Sequence, residues 1–459
     1  MKKNNSQLIL NGSLLKALFT LAIPIVLNSF IQTMYNLTDS YWLGKLGEAN
    51  QAAITMVSPI QNIIVSFGTG ITVAGAVLIA QYIGANEINE AKKMATHILV
   101  CALAFAIICS ALCFISTPFI VEWLGGASEV KKLGITYLRI VVLDIPFLFM
   151  INIYIAINQA QGNTLKPMLV NLSGVIINMI LDPLLMFGFN LGISGAALAT
   201  LFSKVPCAII AAIALFNKNN FIKISLKGFR FEKSKVKSII SVGLPTAIGG
   251  STMQFGFLLM SKNVVKYGTV ATAAYGIGNR VNGLISLPSN AMGSAVGTIV
   301  AQNIGANQYE RAEKAYKLSR NISVMFLFIG GLILSNLKVS AAIVSIFSDN
   351  PEVVSFAADF LMVMAICSWT NGVHNSTNGL FNGSGHTMIT MVIDASRMWV
   401  FRFLTLYICE NIFHMYLSSI WYSVVVSNAI SALILWILYK TGIWKKRVIK
   451  IDKQSEKNA

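Results

Sequence analysis

Charge is what this chain has little of. Only 12% of its 459 residues are Asp, Glu, Lys or Arg, while 55% are hydrophobic, and the mean hydropathy is +0.67. So little polar side chain cannot cover the surface of a soluble enzyme of this size. Acidic residues are scarcer than basic ones, 18 against 35. A Gly-x-x-x-x-Gly-Lys-Ser/Thr loop is missing, so the chain has no means of hydrolysing ATP. Uphill work must draw on an ion gradient or an attached partner. The six cysteines (Cys101, Cys109, Cys113, Cys207, Cys367 and Cys409) lack metal-site spacing. Cys109 and Cys113 share a helix face, which core packing explains. No catalytic residue and no cofactor are expected. The opening Met1-Lys2-Lys3-Asn4-Asn5 leads into an apolar run too long for a secretory signal, so no cleaved leader is expected either.

What is present is apolar runs, each long enough to cross a bilayer as a helix. Twelve are counted, at about 14–43, 50–82, 88–116, 130–158, 164–188, 192–216, 235–262, 271–303, 310–336, 352–380, 386–409 and 414–440. The net charge of +17 collects between them. Lys218, Lys223, Lys227, Arg230, Lys233, Lys235 and Lys237 share one loop. Lys92 and Lys93 follow the second span, Arg311, Lys314, Lys317 and Arg320 the eighth, and Lys445, Lys446, Arg447 and Lys450 the twelfth. All fall on the side of Lys2 and Lys3. That positive-inside pattern places both termini in the cytoplasm of a plasma or inner-membrane protein. A surface facing anionic lipid accounts for these charges, and no nucleic-acid partner is needed.

The chain also states one unit twice. Ala80-Gln81-Tyr82-Ile83-Gly84-Ala85-Asn86 returns as Ala301-Gln302-Asn303-Ile304-Gly305-Ala306-Asn307, six of seven positions identical at an offset of 221. Pro24 and Pro245 keep that offset, as do Ala52-Ala53 and Ala273-Ala274. Gly162-Asn163-Thr164 echoes in Gly385-His386-Thr387 at 223. Six spans per repeat is an even number, so the repeats are parallel about an axis along the membrane normal. The expected fold is an all-α integral membrane protein with twelve transmembrane helices in two parallel-repeat six-helix lobes around a central cavity. Its expected parts are a lobe at 1–216 with a cation site, a basic cytoplasmic linker at 217–237, a second lobe at 238–440 and a basic cytoplasmic tail at 441–459. Pro24 and Pro245, inside the first and seventh spans, are kink points, and Pro24 is the candidate hinge. Gly293 and Gly297 are expected to let helices pack closely.

Intramembrane acids are functional candidates by default. Asp39 and Asp182 each lie roughly 8–9 Å below the outer ends of the first and fifth spans, at ~1.5 Å per residue. Asn28, Gln32, Tyr35 and Asp39 are spaced four, three and four, so they share one helical face. Asn171, Asn178 and Asp182 are spaced seven and four and do the same, with Thr200 on the sixth span roughly 12 Å deep. Polar helix packing explains the amides but not two acids without basic partners. At offset 221 the first stripe becomes Gly249, Met253, Gly256 and Met260, so ion chemistry belongs to the first half. The facing methionines suit adaptable apolar contact. Asp144 is expected to pair with a neighbour such as Arg139, and Asp394 with Arg397. Arg280, Arg402 and Asp359 receive no role. His97, His374, His386 and His414 read as satisfied polar residues.

These residues resemble the multidrug and toxic compound extrusion (MATE) family, in its DinF-like branch. The resemblance covers nearly the whole chain. It rests on Leu21-Ala22-Ile23-Pro24, Met34-Tyr35-Asn36-Leu37-Thr38-Asp39, Gln159-Ala160-Gln161-Gly162-Asn163-Thr164, Asn178-Met179-Ile180-Leu181-Asp182-Pro183 and Gly195-Ala196-Ala197-Leu198-Ala199-Thr200. It implies an antiporter whose proton or sodium site uses Asp39, Asn178, Asp182 and Thr200, and whose first helix bends at Pro24 on protonation. It implies substrate contacts at Gln32, Tyr35, Asn152 and Asn178. The NorM-like branch places an acid in the seventh span, where this chain has none. The expectation is a monomeric, ion-coupled exporter of cationic or zwitterionic organic amphiphiles working by alternating access, with Met253 and Met260 also lining the cavity. The rival readings are a flippase for lipid-linked sugars, which would grip a pyrophosphate with cationic residues such as Arg280, Arg397 and Arg402, and a non-transporting membrane scaffold or receptor. The topology has a direct test. A cysteine replacing Lys227 in a cysteine-free background is expected to react with an impermeant maleimide only when the cytoplasmic face is opened. Labelling of intact cells overturns the assignment.

Overall fold

A computed structural model describes residues 5–217 and 220–449. Lys2, Lys3, Lys218 and Lys450 lie outside the described residues, as do Asn219 of the linker and the tail from 450 on. Among the described residues there are helices and loops and no strand. This is the outcome that a bilayer imposes, because a helix satisfies every backbone group within itself.

The twelve expected spans are all helical. The first unit of the duplication contains α2 (Leu14–Gly44), α3 (Glu48–Gly84), α4 (Ile88–Leu124), α5 (Ser128–Val141) continuing into α6 (Ile145–Ala160), α7 (Leu165–Pro183) and α8 (Gly192–Phe216). The second contains α9 (Lys233–Val265), α10 (Thr269–Gly305), α11 (Tyr309–Leu334), α13 (Pro351–Ser384), α14 (Thr387–Ser396) continuing into α15 (Phe403–Asn411), and α16 (Ser418–Lys440). Ten of these runs are long and apolar enough to cross a membrane as single helical segments. The other two are α9, which opens on Lys233, Lys235 and Lys237, and the α14–α15 run, which is broken into short pieces. In each repeat the fifth span contains a widened π turn, Leu184–Gly188 and Arg397–Arg402.

Two short helices were not expected. α1 (Ser6–Asn11) and α12 (Leu337–Val344) are too short to show as apolar runs. Arg311 holds α1 in place, donating from Nε and Nη2 to Ile9 O at 3.0 Å and from Nη2 to Gly12 O. This residue, read from sequence as a loop charge, therefore closes the end of a helix.

The described chain divides into two compact units. One comprises Ile23–Ala247 with the start of the chain, and the other comprises Leu8–Ala22 with the described residues from Ile248 on. The chain passes from one unit to the other inside α2 beside Pro24 and inside α9 beside Pro245. Proline removes the backbone donor that would tie one helical turn to the next, so each change of unit falls at a weakened rung. The described part of the linker belongs to the first unit. There Lys235 pairs with Glu90 at 2.5 Å and Glu232 at 3.2 Å, and His97 Nε2 accepts the Glu232 N–H at 3.0 Å.

The duplication extends to backbone geometry. α3 and α10 each contain 37 residues. The repeated heptapeptide ends each of them, with Asn86 at φ 62° and Asn307 at φ 60°. In both copies the next residue closes the turn, Glu87 N onto Tyr82 O at 2.9 Å and Gln308 N onto Asn303 O at 2.8 Å. Asn tolerates this left-handed conformation better than most residues, which explains its place in the motif.

In the first unit α3 packs on α4, α5 and α6, and α8 on α5, α6 and α7. In the second, α13 packs on α10, α11 and α16. α10 and α13 approach through glycines: Gly293 meets the Asn375 carbonyl, Gly297 that of Gly379, and Gly379 that of Gly293. The expected close packing at Gly293 and Gly297 is therefore present. Near the starts of α10, α13 and α16, Tyr275, Phe360 and Trp421 form an aromatic cluster, with Phe360 and Trp421 centroids 4.8 Å apart. Gly379→Leu would overpack this crossing and is expected to cost about 1–3 kcal/mol or more. Thermal unfolding in detergent, read by size exclusion, checks it. Gly276→Ala, with open space around its Cα, is the control expected to stay within ~0.5 kcal/mol of the parent.

Candidate functional site

The polar stripes converge within the first unit. On α2, Asn28, Gln32, Tyr35 and Asp39 are all half-buried. On α7, Asn178 is 1% exposed and Asp182 has no exposed surface. Asn171 ties the two helices together, donating from Nδ2 to Asn28 Oδ1 at 2.8 Å. Further along α7, Asn178 Nδ2 donates to Asp182 Oδ1 at 3.2 Å, the one-turn spacing that sequence implied. Two acceptors then remain: Asn178 Oδ1 and Asp182 Oδ2 are buried without a hydrogen-bond partner. A carboxylate oxygen in that position calls for a proton or a cation.

The other members close round them. Asp39 is near enough for its charge to act on Asp182, Tyr35 and Tyr137. Tyr35 lies beside Thr200. Thr200 Oγ1 donates to Ala196 O at 3.2 Å, which leaves its lone pairs to accept. Among the described residues no Lys, Arg or His lies within ion-pair distance of Asp39 or Asp182. Tyr137, on α5 beside Gln61, is a member that sequence reasoning missed. Only the packing of α5 against α3 and α8 brings it there.

The substrate residues are dispersed. Gln32 Nε2 donates to Asn36 Oδ1 at 3.4 Å on its own helix. Asn152 lies on α6 with its amide against Gly68 of α3. Pro24 is buried. In the second unit Met253 is half-buried, and its Sδ receives Arg397 Nη2 at 3.5 Å. Met260 departs from expectation. It has no exposed surface and packs in the core with Tyr275, Phe360, Met398 and Trp421, so it fills the interior and lines no cavity.

Two further intramembrane acids are paired, while Asp359 in α13 has no ion pair among the described residues. Asp144 pairs with Lys204 of α8, not with Arg139. A single tight turn, Val142–Asp144, directs it inward, while Arg139 stays exposed over the Phe114 ring at 5.5 Å. Asp394 meets Arg397 as expected, at 3.6 Å, but His374 is closer at 3.0 Å and Asn378 donates to it at 3.1 Å.

The sequence pattern that defines the MatE family matches residues 24–184 and again 245–408, one match beginning at each helix-breaking proline. The chain belongs to the MatE family. It is accordingly a multi-pass membrane transporter, not an enzyme. Its relatives include a probable multidrug resistance protein of Bacillus subtilis (strain 168), YoeA, 25% identical over 435 residues that make up 93% of each chain. Another is the multidrug export protein MepA of Staphylococcus aureus (strain MSSA476), 24% identical over 374 residues, 81% of this chain and 82% of that one. Its fold matches that of a multidrug resistance MATE transporter of the MOP superfamily in an outward-facing conformation. The TM-score is 0.91 at 23% identity, covering 97% of this chain and 100% of the other.

The contrast between paired and unpaired acids in this MatE protein has a testable consequence. Asp144→Asn strands the Lys204 ammonium and is expected to cost roughly 1–3 kcal/mol. This is less than the ~3–5 of a fully buried pair, because Lys204 keeps 28% of its side chain exposed. The double variant Asp144→Leu, Lys204→Met should recover most of that loss, as measured by thermal unfolding.

Proposed function

We propose that this transporter is an antiporter of the DinF-like branch that exchanges protons or sodium ions for organic cationic or zwitterionic amphiphiles. The observation that carries the proposal is the pair of orphaned acceptors, Asn178 Oδ1 and Asp182 Oδ2, buried beside Asp39 with no basic partner. An unpaired carboxylate in a low-dielectric site is strongly destabilised, and proton or cation entry removes that penalty. The donor set of two carboxylates, an amide oxygen and a hydroxyl suits a hard cation as well as a proton.

The coupling logic follows. The loaded site is neutral or nearly so and the empty one is anionic, so ion and cationic substrate compete, directly or through α2. Asp39 lies on the same helix as Pro24, and a change of charge at one end of α2 favours a bend at its weakened rung. The family relationship and the relatives described as multidrug resistance and export proteins support export of organic compounds. The basic loops support cytoplasmic termini, and we take the single chain as the working unit.

The test is gradient-driven dye efflux in proteoliposomes, with proton and sodium gradients imposed separately. Asp39→Asn and Asp182→Asn are each expected to lower coupled efflux to background while membrane level and folding stay near normal. An amide keeps size and hydrogen bonding but cannot take up or release a proton. Met260→Leu, a change of core packing, is expected to retain coupling. Full coupled efflux by both Asn variants would sink the proposal.

A further inference from the structure

The second unit contains an unusual excess of buried positive charge. Arg402 is 3% exposed, yet its partners are all neutral. Nε donates to Ser427 Oγ at 3.2 Å, Nη2 to Asn428 Oδ1 at 3.3 Å and Nη1 to Met398 Sδ at 3.6 Å, and the guanidinium lies over the Phe257 ring at 5.7 Å. No carboxylate lies within ion-pair distance of it among the described residues. Arg397 is little better placed. It shares Asp394 with His374, its Nε is buried without a partner, and its Nη2 is spent on Met253 Sδ, a weak acceptor. Asp394 thus serves Arg397 and an imidazole, and no carboxylate serves Arg402.

The backbone brings the two arginines together. Residues five apart fall on different faces of an α-helix, but Arg397–Arg402 is wound as a π turn, whose i→i+5 hydrogen bonds set the two positions about one turn apart. The charge of each acts on the other. Beside Arg402 lies Tyr275, 7% exposed, whose hydroxyl is also buried without a hydrogen-bond partner. Unused donors therefore converge here, in mirror contrast to the unused acceptors of the first unit. Arg397, which meets the half-buried Met253, retains 13% of its side-chain surface.

A guanidinium that has hydrogen bonds but no counter-charge among membrane-spanning helices favours an incoming anion. We infer that Arg397, Arg402 and Tyr275 form an oxyanion-binding site in the second unit, which takes the carboxylate or phosphate group of a bound amphiphile. Planar guanidinium N–H groups and a phenol O–H suit two oxygens of such a group. His374 and Asp394 hold Arg397 in position from α13 and α14. The inference extends the export proposal, because it provides the anionic end of a zwitterion with its own contact. Its test needs no transport.

The probe is a rhodamine dye with a free carboxylate, compared with its methyl ester, binding to the purified full-length protein in detergent without anionic lipid. The free acid is expected to bind about tenfold or more tightly than the ester, the scale of a charge-assisted hydrogen-bond pair. Arg397→Gln, at the partly exposed position, should abolish that preference while leaving ester affinity unchanged, and Arg397→Lys should restore part of it. Arg402→Gln should act likewise if it folds. Equal binding of acid and ester by the parent protein, or equal loss of both in Arg397→Gln, would overturn the site. Titrated phosphatidylglycerol separates the two sources of the anion: displacement of the acid assigns the site to a lipid headgroup, and persistence of acid binding assigns it to the substrate. Loss of efflux with the dye preference intact would count against the export proposal alone.

Discussion

In the hydrocarbon interior of a bilayer there is no water to solvate a charge, so an intramembrane acid or base is tolerated only with a counter-charge, with hydrogen bonds, or in exchange for something that binds it. That constraint sorts the polar residues of this transporter. Asp144 has Lys204, and Asp394 has His374, Asn378 and Arg397, so these groups are neutralised in place. Asn28 and Asn171 satisfy one another across two helices. Among the buried groups with unused capacity, two clusters combine it with uncompensated charge: acceptors at Asn178 and Asp182, and donors at Arg397 and Tyr275 with the unneutralised Arg402. Function collects in these clusters because only an incoming ion or ligand completes them.

The duplication makes this contrast sharper. Both repeats keep the helix-ending asparagines, the unit-changing prolines and a π turn in the fifth span. The chemistry has diverged. Asn28, Gln32, Tyr35 and Asp39 become Gly249, Met253, Gly256 and Met260. Gly249 and Gly256 lie against Met391 and Met398, and Met260 is sealed in the core. Small residues and methionines therefore close the face of α9 that corresponds to the open polar face of α2. The second unit instead carries its polar group on the α13, π-turn and α16 side, and with the opposite sign.

The basic residues near the helix ends also do more than orient the chain. Arg311 fastens α1, Lys235 holds Glu90 and Glu232 together, and Lys45 lies over the rings of Tyr41 and Trp42 at 4.5 and 5.0 Å. Such contacts are available because long basic side chains keep their heads in water while their stems cover apolar surface.

The sequence alone determined the properties that depend on nearest neighbours along the chain. The number of spans follows from run length at ~1.5 Å of rise per residue, and the stripes follow from helical periodicity, which set Asn178 one turn from Asp182. The duplication, the proline breaks and the glycine crossing were legible for the same reason. What only the tertiary structure decided was partnership between distant residues. Lys204 stands 60 positions from Asp144, and Asn171 stands 143 from Asn28. Tyr137 reaches the acids only because α5 packs where it does. The π turn at Arg397–Arg402 leaves no periodic trace, so the sequence paired Arg397 with Asp394 but did not show that Arg402 lies near it. Met260 looked like a cavity residue because its counterpart is Asp39, but burial is set by which helices close over a face. Local pattern specifies each helix, while the low dielectric acts on charges according to their distance in space, which the chain order does not contain.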